Sequence, residues 1–183
     1  MNIRILALVG SLRAGSYNRQ LADAAVKRPP EGITVDIFDD LAEVAFYNED
    51  IDRRGAVAAA DRLRADVASA DALLLVTPEY NGTIPASLKN AIDWMSRPYG
   101  SGAISGKPLA VIGTSQGRYG GTWAHDDARK AARIAGASVL DDVTLSVPHA
   151  ATRFATMHPA DDEEIADAMS TILATLAAAA ANR

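Results

Sequence analysis

Short apolar runs along the chain alternate with stretches of helical spacing. Residues 3–9 (IRILALV) predict a first strand, and residues 17–28 a helix. Residues 33–38 (ITVDIF) alternate apolar and polar, which suits a second strand. Residues 55–69 are rich in Ala and Arg, carry apolar Val57, Leu63 and Val67, and predict a helix. Residues 72–77 (ALLLVT) are almost continuously apolar, as strands buried on both faces of a parallel sheet are. Pro85 is expected at the first helical position, which tolerates its missing N–H. Leu88, Ile92 and Met95 then share one helical face, with Pro98 and Gly100 in the loop beyond. Residues 108–114 (PLAVIGT) predict a fourth strand, 122–135 a helix, and 138–145 a short strand around Val139-Leu140. The acidic run Asp161 to Glu164 opens a last helix, where carboxylates favour the positive end of the macrodipole. The order is β-α repeated five times. It predicts a three-layer α/β domain with a parallel sheet and right-handed crossovers, as one domain over residues 1–183.

Composition narrows the chemistry. The chain has 183 residues, long enough to bury a sizeable core. Its net charge of -5 is opposite to the basic excess of nucleic-acid-binding domains, so no nucleic-acid partner is expected. There is no cysteine, which excludes disulfides, thiolate metal sites and a cysteine nucleophile. Three histidines without H-E-x-x-H spacing give no expectation of a metal site. Redox chemistry in such a chain needs a borrowed cofactor. No run approaches the ~18 apolar residues of a membrane span. The apolar stretch from Ile5 to Gly10 is followed by Ser11-Leu12-Arg13 instead of a small-residue cleavage site. The expectation is a cytoplasmic protein with no membrane partner.

The loop after the first strand is Gly10-Ser11-Leu12-Arg13-Ala14-Gly15-Ser16-Tyr17-Asn18. Open parallel sheets bind ligands beyond the carboxyl ends of their strands. A Gly-rich loop running into a helix turns backbone N–H groups toward an anion. Hydroxyls on Ser11 and Ser16, the Asn18 amide and the planar fork of Arg13 suit an oxygen-rich phosphate. A Walker A loop is ruled out because Ser16 stands where its Lys belongs, and G-x-G-x-x-G fails at Leu12. The loop therefore predicts a monophosphate site.

The loop after the third strand is Thr77-Pro78-Glu79-Tyr80-Asn81-Gly82-Thr83-Ile84-Pro85. Backbone amides of Glu79 to Gly82 are expected to meet the edge of a polar heterocycle, with Tyr80 as a flat surface. Asn81-Gly82 alone also justifies a turn. After the fourth strand, Thr114-Ser115-Gln116-Gly117-Arg118-Tyr119-Gly120-Gly121 permits close backbone approach to a ligand.

G-S-L-R-x-G-S-Y-N, followed by P-E-Y-N-G-x-I-P-A-x-L-K-N-A-I-D-W, resembles the NADPH-dependent FMN reductases, flavodoxin-like proteins that include chromate and quinone reductases and some azoreductases. The resemblance implies a five-stranded sheet in order 2-1-3-4-5, with FMN and NADPH or NADH as cofactors. It places the FMN phosphate at Ser11, Arg13, Ser16, Tyr17 and Asn18. It places the isoalloxazine beside Pro78, Glu79, Tyr80, Asn81 and Gly82, and near Ser115 and Gly117. Phe46 to Asp50 resembles a family stretch near the dimer interface. Hydride would pass from nicotinamide to flavin N5 and then to a small-molecule acceptor, namely a quinone, a chromate-like oxyanion, an azo compound or free flavin. No catalytic side chain is required. The alternative is a flavodoxin-type electron carrier without NAD(P)H turnover. The resemblance further implies a homodimer or homotetramer. Trp94 and Met95 either complete the monomer core or, with Tyr99, face a second copy.

Overall fold

The computed structural model describes residues 2–53 and 55–182. Met1, Arg54 and Arg183, which the expected domain 1–183 includes, lie outside the described residues. Five strands form one parallel sheet in the order β2-β1-β3-β4-β5: β1 (Ile3–Val9), β2 (Ile33–Ile37), β3 (Ala72–Val76), β4 (Pro108–Thr114) and β5 (Ser138–Val147). The central strands β3 and β4 are buried along their whole length, which is why their sequences are apolar without alternation. Edge strand β2 is buried only at every other residue at its start, matching its alternation.

Helices cover both faces. α1 (Tyr17–Lys27) and α6 (Glu163–Ala181) cover one face, and α2 (Ala58–Ser69), α3 (Ala86–Met95) and α4 (Thr122–Ile134) the other. A one-turn helix α5 (Ala150–Arg153) follows β5. Alternate residues of β1 and β3 feed the two cores. Leu6, Leu8, Leu73 and Leu75 meet α2 to α4, whereas Ile5, Ala7, Val9, Leu74 and Val76 meet α1 and α6. Trp94 and Met95 are buried in the first of these cores, while Tyr99 is exposed.

Several boundaries differ from expectation, each for a local reason. α2 begins at Ala58, because Gly55 adopts φ +82 and gives its N–H to the Asp61 carboxylate (2.7 Å). Pro85 stands one residue outside α3, accepting from the amides of Leu88 and Lys89. The acidic run does not form a single helix start. Pro159–Asp161 is a 3-10 turn, and Asp162 then caps α6 by accepting from the Ile165 amide (3.3 Å). Arg153 pairs with Asp162 and Glu164, and holds the Asp162 carboxyl below its ordinary range. β5 runs on to Val147, past an irregularity opposite Leu109 and Val111.

α6 is the exception to the membrane reading. By length and composition its 19 residues, with mean hydropathy 1.3, suffice to cross a bilayer, a property the alanine-rich sequence did not suggest. Its large apolar residues Ile165, Met169, Ile172, Leu173 and Leu176 lie instead against the sheet, buried in the α1/α6 core.

Candidate functional site

The carboxyl ends of β1, β3 and β4 bring three loops together. They touch closely enough to demand glycine. A Cβ on Gly10 would stand 2.8 Å from Thr77 Oγ1, and one on Gly113 would stand 2.0 Å from the Thr77 carbonyl oxygen. The Gly10 amide bonds to Val76 O (2.9 Å), and Ser87 Oγ donates to Gly10 O (3.0 Å).

The first loop ends where Ser16 caps α1. The Ser16 hydroxyl oxygen accepts from the Arg19 amide (3.4 Å), leaving its own hydrogen to donate elsewhere. Helix geometry leaves the amides of Tyr17 and Asn18 without intrahelical acceptors. The first turn of α1 carries no carboxylate. Arg13 is exposed and folds over its own loop, donating to the carbonyls of Ala14 and Gly15 (both 3.1 Å). Ser11 is half-buried beside it. Two residues expected at a phosphate are engaged differently. The Asn18 side chain is buried and bonded at both ends to the Thr114 backbone, which spends its oxygen and one N–H on the fold. The Tyr17 ring packs against Phe154, with centroids 6.1 Å apart, and its backbone amide lies in the first turn of α1.

The third loop is a tight hairpin. Tyr80 and Thr83 exchange backbone hydrogen bonds (3.0 and 3.1 Å) around Asn81 (φ 53) and Gly82 (φ 78). Positive φ at both central residues is the I′ turn that Asn-Gly favours. The Tyr80 amide is therefore not available to a ring edge. The amides of Glu79, Asn81 and Gly82 have no protein acceptor among the described residues. Pro78 is buried, Tyr80 is half exposed, and Glu79 Oε2 is buried without a hydrogen-bond partner among the described residues. Thr83 Oγ1 donates to Asp127 of α4 (2.6 Å), tying the hairpin down.

In the fourth loop, the Ser115 amide bonds to Val147 O (3.1 Å), and its carbonyl accepts from Ala150 (3.0 Å). Ser115 Oγ stays within the loop, facing Gly117 O (3.4 Å). Gly117 and Arg118 are exposed, and the Arg118 guanidinium stacks 4.5 Å from the Tyr119 ring, which in turn lies 5.3 Å from Trp123.

Beneath the loops lies a polar layer that sequence reasoning missed. His125 of α4 is fully buried, with Nδ1 2.8 Å from Ser146 Oγ and Nε2 3.3 Å from Thr77 O. Burial pushes its pKa down to about 4, opposed by the Thr77 carbonyl and by Asp126, and assisted by nearby Arg129. Thr114 Oγ1 donates to Val147 O (2.7 Å). In sequence, His125 is one of several polar residues of α4, and no local signal marks its partners.

A cleft of about 610 Å3 opens beside the first and third loops, bordered by Leu12, Arg13, Phe46, Tyr80, Pro85 and Asn90. Its far wall is pinned. Asn90 Nδ2 donates to the carbonyls of Val44 and Ala45, Asn90 Oδ1 accepts from the Tyr47 amide, and Trp94 Nε1 donates to Ala45 O. Phe46 projects from this strap with 76% of its surface exposed. A larger groove of about 1100 Å3 lies between α3 and α4, with Ile134 exposed along it.

The family profile described as NADPH-dependent FMN reductase matches residues 3–152. An NAD(P)H-dependent FMN reductase of Pseudomonas aeruginosa is 44% identical over 119 residues, 65% of this chain and 63% of that protein. A quinone reductase of Pseudomonas putida is 43% identical over 126 residues, 69% of this chain and 67% of that protein. The match thus spans just under two thirds of the first relative. Among solved structures, a flavoenzyme NAD(P)H:acceptor oxidoreductase from Paracoccus denitrificans superposes with TM-score 0.85 at 28% identity, covering 98% of both chains. An archaeal flavodoxin, at TM-score 0.59 and 15% identity, shares the fold. With a profile match over most of its length, the flavodoxin-like sheet order and the two loop motifs side by side, the chain belongs to the NADPH-dependent FMN reductase family.

Proposed function

We propose that this protein is an FMN-dependent NAD(P)H oxidoreductase whose acceptor is a quinone, with chromate-like oxyanions, azo compounds and free flavin as further candidate acceptors. The single observation that carries the reading is the first loop. It offers Arg13, the Ser11 and Ser16 hydroxyls and the free first-turn amides of α1, with no carboxylate in that turn. That donor set fits the phosphate of FMN. The amides of Glu79, Asn81 and Gly82 fit the acceptor atoms of a flavin edge, and exposed Gly117 lets backbone approach the ring.

When bound, FMN supplies the two-electron chemistry, accepting hydride from a nicotinamide and delivering it to the acceptor. The chain's own residues bind and orient. Arg13 and the α1 N-terminus hold the anionic end. The hairpin from Tyr80 to Thr83 fixes one side of the ring site and Ser115 to Gly117 another. Preorganised amide donors stabilise negative charge near the ring edge at no cost in reorganisation. Overall, a quinone gains two electrons and two protons, one proton coming from water. At ~0.3 kcal/mol for each of about 30 heavy atoms, FMN is expected to bind with ~9 kcal/mol, a Kd somewhat under ~1 μM.

A homodimer or homotetramer is the assembly proposed, and the exposed Ile134 and Tyr99 beside the α3–α4 groove support it. The deciding experiment is to titrate the purified protein with FMN and then supply NADPH or NADH with benzoquinone. Multiple turnovers sustain the reading. Flavin binding with reduction only through a separate reductase would instead establish an electron carrier, and no flavin binding would remove both.

A further inference from the structure

We propose that His125 is a positioning residue that sets the spacing between the third and fourth loops, acting through Thr77 and Ser146. The proposal rests on the reading of these loops as the flavin site.

Four observations carry it. First, both ring nitrogens are engaged, one by Thr77 at the base of the third loop and the other by Ser146 near the end of β5, opposite Gly113 of β4. Thr77 O can only accept, so Nε2 carries the proton and donates, while Nδ1 accepts from the Ser146 hydroxyl. Second, Thr77 is the last residue before Pro78. Its amide is held by Ile112 O (2.9 Å) and its hydroxyl by Pro78 O (2.9 Å), so His125 completes the anchoring of the residue from which the third loop departs.

Third, Ser146 precedes Val147, whose carbonyl receives both the Ser115 amide and Thr114 Oγ1. The imidazole is thus a wedge between the two loops. Fourth, the chain clears space for the ring at two points. A Cβ on Gly113 would lie 2.6 Å from Nε2, and one on Gly121 would lie 3.2 Å from it. The other buried positions of α4 are Ala124, Ala128, Ala132 and Arg129, whose guanidinium donates to Val111 O and pairs with Asp126. A buried imidazole costs desolvation that its two hydrogen bonds offset, and the nearby Arg129 charge favours keeping the ring neutral. Filling space alone would not call for it.

The test compares wild type with His125→Leu, His125→Gln and Ser146→Ala. FMN affinity and flavin absorption are read by titration, and amide exchange of residues 77–83 without flavin. Loss of both bonds in His125→Leu is expected to weaken FMN by about 10-fold or more. It should also shift the flavin absorption band and speed exchange in residues 77–83 relative to α6. His125→Gln keeps an N–H for Thr77 and should recover most of the affinity. Ser146→Ala should lose about 2- to 10-fold with a band shift in the same direction.

A folded His125→Leu protein with wild-type affinity, absorption and exchange overturns the proposal. Should His125→Leu fail to fold, wild-type behaviour of Ser146→Ala overturns it. Wild type that binds no FMN removes the flavin reading instead, and the exchange of residues 77–83 still decides whether His125 positions the loop.

Discussion

Asn18 and Thr114 are joined by a reciprocal pair of hydrogen bonds: Asn18 Nδ2 donates to Thr114 O (2.8 Å), and Asn18 Oδ1 accepts from Thr114 N (2.9 Å). The pair is buried and closes the gap between the first turn of α1 and the end of β4. Asn18→Ala orphans a buried N–H and a buried carbonyl together. It is expected to cost about 2 kcal/mol or more of stability, at roughly 1–3 kcal/mol for each unsatisfied group. Urea unfolding measures this, and a midpoint equal to wild type would refute the structural role.

Arg13 is the opposite case. It is exposed and, among the described residues, its hydrogen-bond partners are two carbonyls of its own loop. Arg13→Ala should leave stability within about 0.5 kcal/mol of wild type. Losing a charge-assisted bond of ~1.5–3 kcal/mol should weaken FMN binding by about 10- to 150-fold. Fluorescence titration showing unchanged affinity would take Arg13 out of the phosphate site.

Two glycines separate packing from ligand approach. Gly113→Ala forces a Cβ to within 2.0 Å of Thr77 O and 2.6 Å of His125 Nε2, so something must shift. A loss of about 3 kcal/mol or more is expected from such overpacking. Gly117→Ala meets nothing nearer than Ser115 Oγ at 3.7 Å and should be neutral for stability. If backbone at Gly117 approaches the flavin, the added methyl lowers FMN affinity, whereas equal affinity would move the ring away from this position.

The buried His125 makes stability depend on pH. In the unfolded chain it titrates at its ordinary value near 6.5, whereas the folded ring stays neutral down to about 4. Between these values the unfolded state binds the extra proton, so stability falls as pH drops from 6.5 toward 4. The full difference is about 3 kcal/mol, complete below pH 4. Unfolding midpoints from pH 7 to 4 should therefore fall less steeply in His125→Gln. Parallel slopes in the two proteins would contradict the assignment.

The α3–α4 groove carries the assembly prediction. Light scattering should give twice the 19.2 kDa chain mass or a higher even multiple. Ile134 is 75% exposed beside that groove, and Ile134→Glu should shift the population toward monomer without lowering monomer stability. A wild-type protein with the mass of one chain would refute it.

What could be read without coordinates was what short-range physics controls. The uninterrupted apolar run of β3 and the alternation of β2 are burial written locally, so strand existence and sheet class were legible. Asn81-Gly82 needs positive φ at both positions wherever it sits, so the turn was legible too. The loop proposed to hold a phosphate stood out because its donors are contiguous. Partner choice across the sheet was not. Asn18 belongs to a loop rich in phosphate donors, yet its side chain is spent on Thr114, 96 residues away. His125 finds Thr77 and Ser146 only after β3, β4 and β5 are aligned. The end of β5 depends on its pairing with β4, and the burial of Pro78 on what packs over it. Sequence alone determined which segments could form the sheet and which loop could hold an anion. The tertiary structure decided which polar groups remain free for a ligand, because hydrogen bonds between distant segments are settled by packing geometry and leave no periodic trace in the chain.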